Sequence, residues 1–155
     1  MKKTIVRTAL AVVFAIGLIT SMAAPAHAWD RPCSLAGAAG NWSLTDQGTV
    51  VGVGPRTAVG TFTLDGGGNL TNGIATSSLN GSLLDETFSG TYTVNSNCSG
   101  TLNVTIYSSG TEIFVLTLNT AFDDDMRELR AIFTSVTKPN GTVLPTVINL
   151  EARKQ

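Results

Sequence analysis

Glu128 and Arg130 stand two residues apart in MRELRAIFTSVT, and Glu151 and Arg153 repeat that spacing in NLEAR. On an extended strand this interval puts both side chains of a pair on one face. Turned inward, either pair makes a buried charge cluster with a shifted carboxylate, the equipment of a proton-moving isomerase. Turned outward, it is a solvated ion pair, the usual place for charge. Leu129, Ala131 and Phe133 fill the other face, so periodicity leaves both phases open. Tyr92 joins Glu128 and Arg130 as a catalytic candidate, because a phenol can also move a proton.

The chemistry is narrowed further by an absence in the sequence. The single histidine, His27, falls in the N-terminal segment, and the chain beyond it has none. Histidine triads, histidine metal sites and the usual base near neutral pH are thereby excluded from that part. Asp123, Asp124 and Asp125 offer oxygen ligands for calcium, but without the spaced donors and distal glutamate of a calcium loop they read as a solvated turn. No metal and no cofactor is expected. Six sequons, beginning at Asn41, Asn69, Asn80, Asn97, Asn103 and Asn140, arise readily in a chain so rich in Asn, Ser, Thr and Gly.

The start MKKTIVR, the apolar run from Ala9 to Ile19 and the ending AHA have the form of a secretory signal of a bacterial kind. The run is too short to span a bilayer as a helix, which needs about 20 apolar residues. The expectation is a signal peptide over 1–28, cleaved near Ala28, and a single β-barrel domain over 29–155, secreted or periplasmic and not membrane-integral. In an oxidising compartment Cys33 and Cys98 are expected to pair as a disulfide. Setting aside Lys2, Lys3 and Arg7 leaves seven basic residues against eleven acidic ones, a net charge of −4. With no basic cluster to offset that charge, nucleic acid is not an expected partner.

The elements that would position these groups are strands. GTFTLDGGGNLTNG (60–73) alternates apolar and polar residues, turns on glycines and returns; GTYTVNSNCSGTLNV (90–104) follows the same plan. The same period of two predicts eight strands, at about 41–51, 58–65, 69–78, 86–95, 100–107, 111–121, 126–137 and 143–153, with turns at GVGP, LNGS, SSG, DDD and KPNG. Short connections favour an antiparallel up-and-down meander. Eight strands suffice to close it into a barrel, with a β-sandwich as the alternative.

The segments CSLAGAAGNWSLTDQGTV, GTFTLDGGGNLTNG, FSGTYTVNSNCSGTL, RELRAIFTSV and PNGTVLPTVINLEAR, which cover nearly all of 29–155, resemble a group of small secreted bacterial proteins. That group has the calycin-type barrel of allene oxide cyclase and dirigent proteins. The resemblance implies an eight-stranded barrel, a homotrimer and an interior that holds a small hydrophobic ligand. It carries no catalytic residue onto a numbered position.

Three kinds of function remain. In a binding module, Phe62, Phe88, Tyr92, Val104 and Ile106 line a cavity for a small apolar or amphipathic molecule, where otherwise they pack a core. A cofactor-independent isomerase of the cyclase type adds a carboxylate inside that cavity. A structural or surface protein uses the threonines at 61, 63, 91, 93, 101 and 105 as a recognition face, a role that needs flat strands.

Overall fold

A computed structural model describes residues 33–155; the expected leader and the start at Trp29 lie outside the described residues. After the short helix α1 (Leu35–Ala38) come eight strands: β1 (Gly40–Val50), β2 (Gly54–Leu64), β3 (Asn69–Leu79), β4 (Ser82–Val94), β5 (Ser99–Ser108), β6 (Thr111–Phe122), β7 (Glu128–Thr137) and β8 (Thr146–Lys154). Each pairs antiparallel with the next, and β8 pairs back onto β1, so the sheet closes in the order β1 to β8. The up-and-down barrel is the expected fold. The sandwich alternative is excluded, because two packed sheets would leave edges that this closed ladder lacks.

Strand borders differ from the sequence reading where turns proved tighter. β2 starts at Gly54 and β4 at Ser82, each four residues earlier than expected, because the reversals before them need only short turns. β8 starts three residues later, at Thr146, directly after Pro145, which has no N–H to give a ladder.

The inner phase runs Trp42, Leu44, Asp46 on β1; Arg56, Ala58, Phe62, Leu64 on β2; Glu86, Phe88, Tyr92 on β4; and Leu102, Val104, Ile106 on β5, all buried. Gly60 and Gly90, the first residues of the two repeated stretches, sit where a Cβ would run into the carbonyl of Ile74 and of Asn103 respectively. Both motifs begin with glycine because strands of a small coiled barrel approach too closely there for a side chain.

Helix α1 closes one end of the barrel. The carbonyls of Gly37 and Ala38, which a helix C-terminus leaves without internal partners, accept from the wall: Trp42 Nε1 donates to Ala38 O and Lys154 Nζ to Gly37 O, each at 2.9 Å. Tyr92 Oη lies 3.0 Å from Leu35 O, which also accepts from the Ala39 amide. The Cys33–Cys98 disulfide ties this plug to the β4–β5 turn. At the other end the wall is weaker. The β7–β8 ladder runs only from Glu128↔Arg153 to Ile132↔Asn149. Beyond it, the segment leading into β8 holds to β7 through the Leu144 N–H bond to Val136 O and the Thr137↔Val143 bridge.

Candidate functional site

Three ionisable side chains meet inside the barrel. Asp46, Arg56 and Glu86 each continue the apolar phase of their strand, so alternation alone turns them inward. Arg56 Nε and Nη2 donate to Asp46 Oδ2 at 3.3 and 3.2 Å, while Nη1 and Nη2 donate to Glu86 Oε1 and Oε2 at 3.0 Å each. The Glu86 contact is the bidentate fork of guanidinium on carboxylate. Ser77, on β3, adds its hydroxyl to Glu86 Oε1 at 2.7 Å. The side chains of Asp46, Arg56 and Glu86 are only 4, 7 and 1% exposed.

Two features set this cluster apart from a plain structural ion pair. Asp46 Oδ1 has no hydrogen-bond partner; among the described residues, Thr120 Oγ1 is the other buried side-chain oxygen in that state. Two carboxylates also face one guanidinium, so full ionisation leaves a surplus negative charge. Burial pushes the Asp46 pKa up, and the charge of Glu86 adds to the rise, against the opposing pull of Arg56. The Ala58 amide pulls the same way as Arg56 yet makes no hydrogen bond to Oδ1. Burial works to deprotonate Arg56, but Glu86 and Asp46 outweigh it and hold the guanidinium charged.

The cluster stands between two small interior voids. The larger, about 40 Å³, is lined by Asp46, Arg56 and Glu86 at one side and by Phe62, Phe88, Leu102, Val104 and Ile106 among its apolar walls. The second, about 20 Å³, lies beyond Arg56 among residues such as Val50, Leu79, Phe114 and Ile148. Such spaces hold one to a few waters, well short of the ~300 Å³ at which ordinary ligand pockets begin. Roomier hollows of about 500 and 590 Å³ lie along the outer wall of β1 to β4, lined by residues such as Thr57, Val59, Thr61 and Thr76. They are open grooves: Asp46 contributes to the wall of the first and Glu86 to that of the second, but Arg56 lines neither.

Of the residues singled out from sequence, Phe62, Phe88, Val104 and Ile106 come together around the larger void. A line of rings reaches it from the plugged end: Trp42 stacks on Phe62 with centroids 6.3 Å apart, and Phe62 meets Phe88 at 6.2 Å. Tyr92 is buried but lies by the plug, within hydrogen-bond distance of Leu35 O and Asp65 O, and burial pushes its pKa up to about 12. Its single proton serves one of those carbonyls at a time, and it does not line the void. Glu128 and Arg130 stand on the outer wall, where the Glu128 carboxylate forms ion pairs with Arg153 at 2.9 Å and with Arg130 at 3.6 Å. Arg130 and Arg153 are 74 and 78% exposed, so this is the solvated arrangement. Asp123 Oδ1 is occupied by the amides of Arg127 and Glu128, as a turn requires, and among the described residues no group of carboxylates, Cys or His is placed to hold a metal.

Asp46, Arg56 and Glu86 were legible in principle. Each is a charged residue on the apolar phase of its strand, in the sequences WSLTD, RTAVGTF and ETFSGTY. Arg56 escapes the sequence reading because it directly follows the turn-forming GVGP, whereas the strand already begins at Gly54.

The architecture defines a class: closed eight-stranded antiparallel barrels with a filled interior. No protein-family model matches the chain, and no curated protein matches it. Among solved structures, a redesigned β-barrel, mFAP1, bound to DFHBI is similar at a TM-score of 0.51 and 15% identity, over 79% of this chain and 98% of that one. EF1p2_mFAP2b bound to DFHBI is similar at 0.54 and 13%, over 79% and 97%. At such identities the likeness is one of fold.

Proposed function

We propose that this chain is a small-molecule-binding barrel, working outside the cytoplasm, whose amphipathic ligand puts its polar end on the Asp46–Arg56–Glu86 cluster and its apolar part between Phe62, Phe88, Val104 and Ile106. The cluster is the observation that carries the reading. A core built only for stability does as well or better with hydrocarbon at such positions. The barrels of similar fold bind DFHBI, which supports the class of activity and says nothing of the ligand here. The disulfide and the leader-like start support an oxidising compartment.

Because the void is about 40 Å³, any ligand of more than a few heavy atoms has to displace side chains as it enters. The short β7–β8 ladder is where the wall yields at least cost, since few backbone hydrogen bonds cross it. The test is a native mass spectrum of the exported protein, followed by a denatured spectrum of the same sample. A ligand-sized excess that disappears on denaturation is expected. A clean native mass, with no rise in melting temperature across a panel of amphipathic compounds, would refute the reading.

A second reading has one specific observation in its favour. A carboxylate inside the cavity is what a cofactor-independent isomerase of the allene oxide cyclase type needs, and Asp46 is one whose pKa is raised by burial. The two readings part on the passenger. An isomerase with Asp46→Asn retains unconverted substrate while the wild type releases product, whereas a carrier yields the same compound from both.

A further inference from the structure

Resting on the binding reading, we propose that the interior site takes a small organic ammonium ion, its N–H donating to Asp46 Oδ1 and its hydrocarbon part lying among Phe62, Phe88, Leu102 and Val104. The polar partners at the cluster are fully assigned except at this atom. Arg56 uses Asp46 Oδ2 and both oxygens of Glu86, and Ser77 takes Glu86 Oε1 again. An ionised carboxylate only accepts hydrogen bonds, so what Oδ1 lacks is a donor. Asp46 is 4% exposed and lines the void, which puts that donor inside the barrel rather than in bulk water.

Charge then selects among donors. With two carboxylates to one guanidinium, a hydroxyl or amide satisfies Oδ1 and leaves the surplus negative charge in a poorly polarisable interior, where an unpaired charge is costly. An ammonium satisfies both. An anionic ligand meets two carboxylates and finds Arg56 already engaged by both of them. The remaining walls are apolar side chains, so the cation must carry a short hydrocarbon body, kept small by the size of the void.

The test titrates the ¹⁵N-labelled protein with isobutylamine, isobutanol and isobutyrate at neutral pH, following the amides of Asp46, Arg56, Glu86 and Phe88. Isobutylamine is expected to shift these interior amides and to bind about tenfold more tightly than isobutanol, the worth of one charge-assisted hydrogen bond; isobutyrate should not bind. Asp46→Asn should erase the preference for the amine. Should that variant not fold, the comparison among the three probes on the wild type decides alone. Equal binding of isobutanol and isobutylamine would overturn the ammonium assignment and leave an interior binding site standing. Interior amides unmoved by every probe would overturn both.

Discussion

Replacing Arg56 by Met removes the one cation from a site that keeps two carboxylates. The guanidinium makes four N–H···O contacts of 3.0 to 3.3 Å, and both acids are almost wholly excluded from water. Breaking a buried ion pair from one side costs about 3–5 kcal/mol, because the abandoned charge has no solvent to return to. That is a large part of the ~5–15 kcal/mol that holds a domain folded. The loss should depend on pH with a definite sign. Asp46 already has a raised pKa, and without Arg56 it rises further. A folded-state pKa above the unfolded value means stability is retained below about pH 4 and drains away as pH increases toward the folded pKa. Urea unfolding of the oxidised protein between pH 4 and 8, followed by tryptophan fluorescence, should show Arg56→Met near wild type at the acid end and several kcal/mol weaker at neutral pH. Apolar replacement of all three residues, as in Asp46→Leu, Arg56→Met and Glu86→Leu together, should recover most of that stability. A single variant within about 0.5 kcal/mol of wild type at every pH, the scatter of an ordinary surface change, would refute the account of the cluster as buried and mutually dependent.

Asp46→Asn alone removes a group whose folded pKa is raised, so the stability that the wild type loses as pH rises above about 4 should flatten in the same unfolding series. Cys33→Ser with Cys98→Ser opens a loop of 65 residues and should cost roughly 4 kcal/mol on the chain-entropy account, read as a fall in denaturation midpoint that reductant reproduces in the wild type. In a Tyr107→Phe background, ultraviolet titration should find the Tyr92 phenol ionising near its pKa of about 12, and Tyr92→Phe should lose about 1 kcal/mol with the hydrogen bond to the plug. Gly90→Ala forces a methyl onto the Asn103 carbonyl and should cost about 1–3 kcal/mol by overpacking, measured against Gly66→Ala, whose new Cβ meets nothing within 4 Å and whose φ is not positive.

The strands and their order were open to reading because each depends on local facts. Alternation such as Phe62, Leu64 against Thr61, Thr63 specifies a half-buried strand wherever it occurs, and turns such as DGGGN need no distant partner. Eight such strands with short connections leave few topologies open. The inner phase of β4 and β5 could be taken from Phe88, Tyr92, Val104 and Ile106, and these residues are inside. For β7 the charged pair and the apolar triplet competed, and burial of Leu129, Ala131 and Phe133 settled the phase with Glu128 and Arg130 outside.

The site was a different matter. Asp46, Arg56 and Glu86 come from three strands, the first two 10 positions apart in sequence and the last two 30. Nothing local says that they meet. Their convergence follows from registers that pair Asp46 with Ala58, Arg56 with Leu79 and Ala75 with Glu86, and those registers follow from the turns and bulges of the whole wall. Sequence alone determined an all-β chain of antiparallel strands joined by short turns, since periodicity and turn residues are properties of each segment. Only closure of the barrel decided which charges share the interior and which face water, because a side chain two strands away becomes a neighbour only when the sheet curves back on itself.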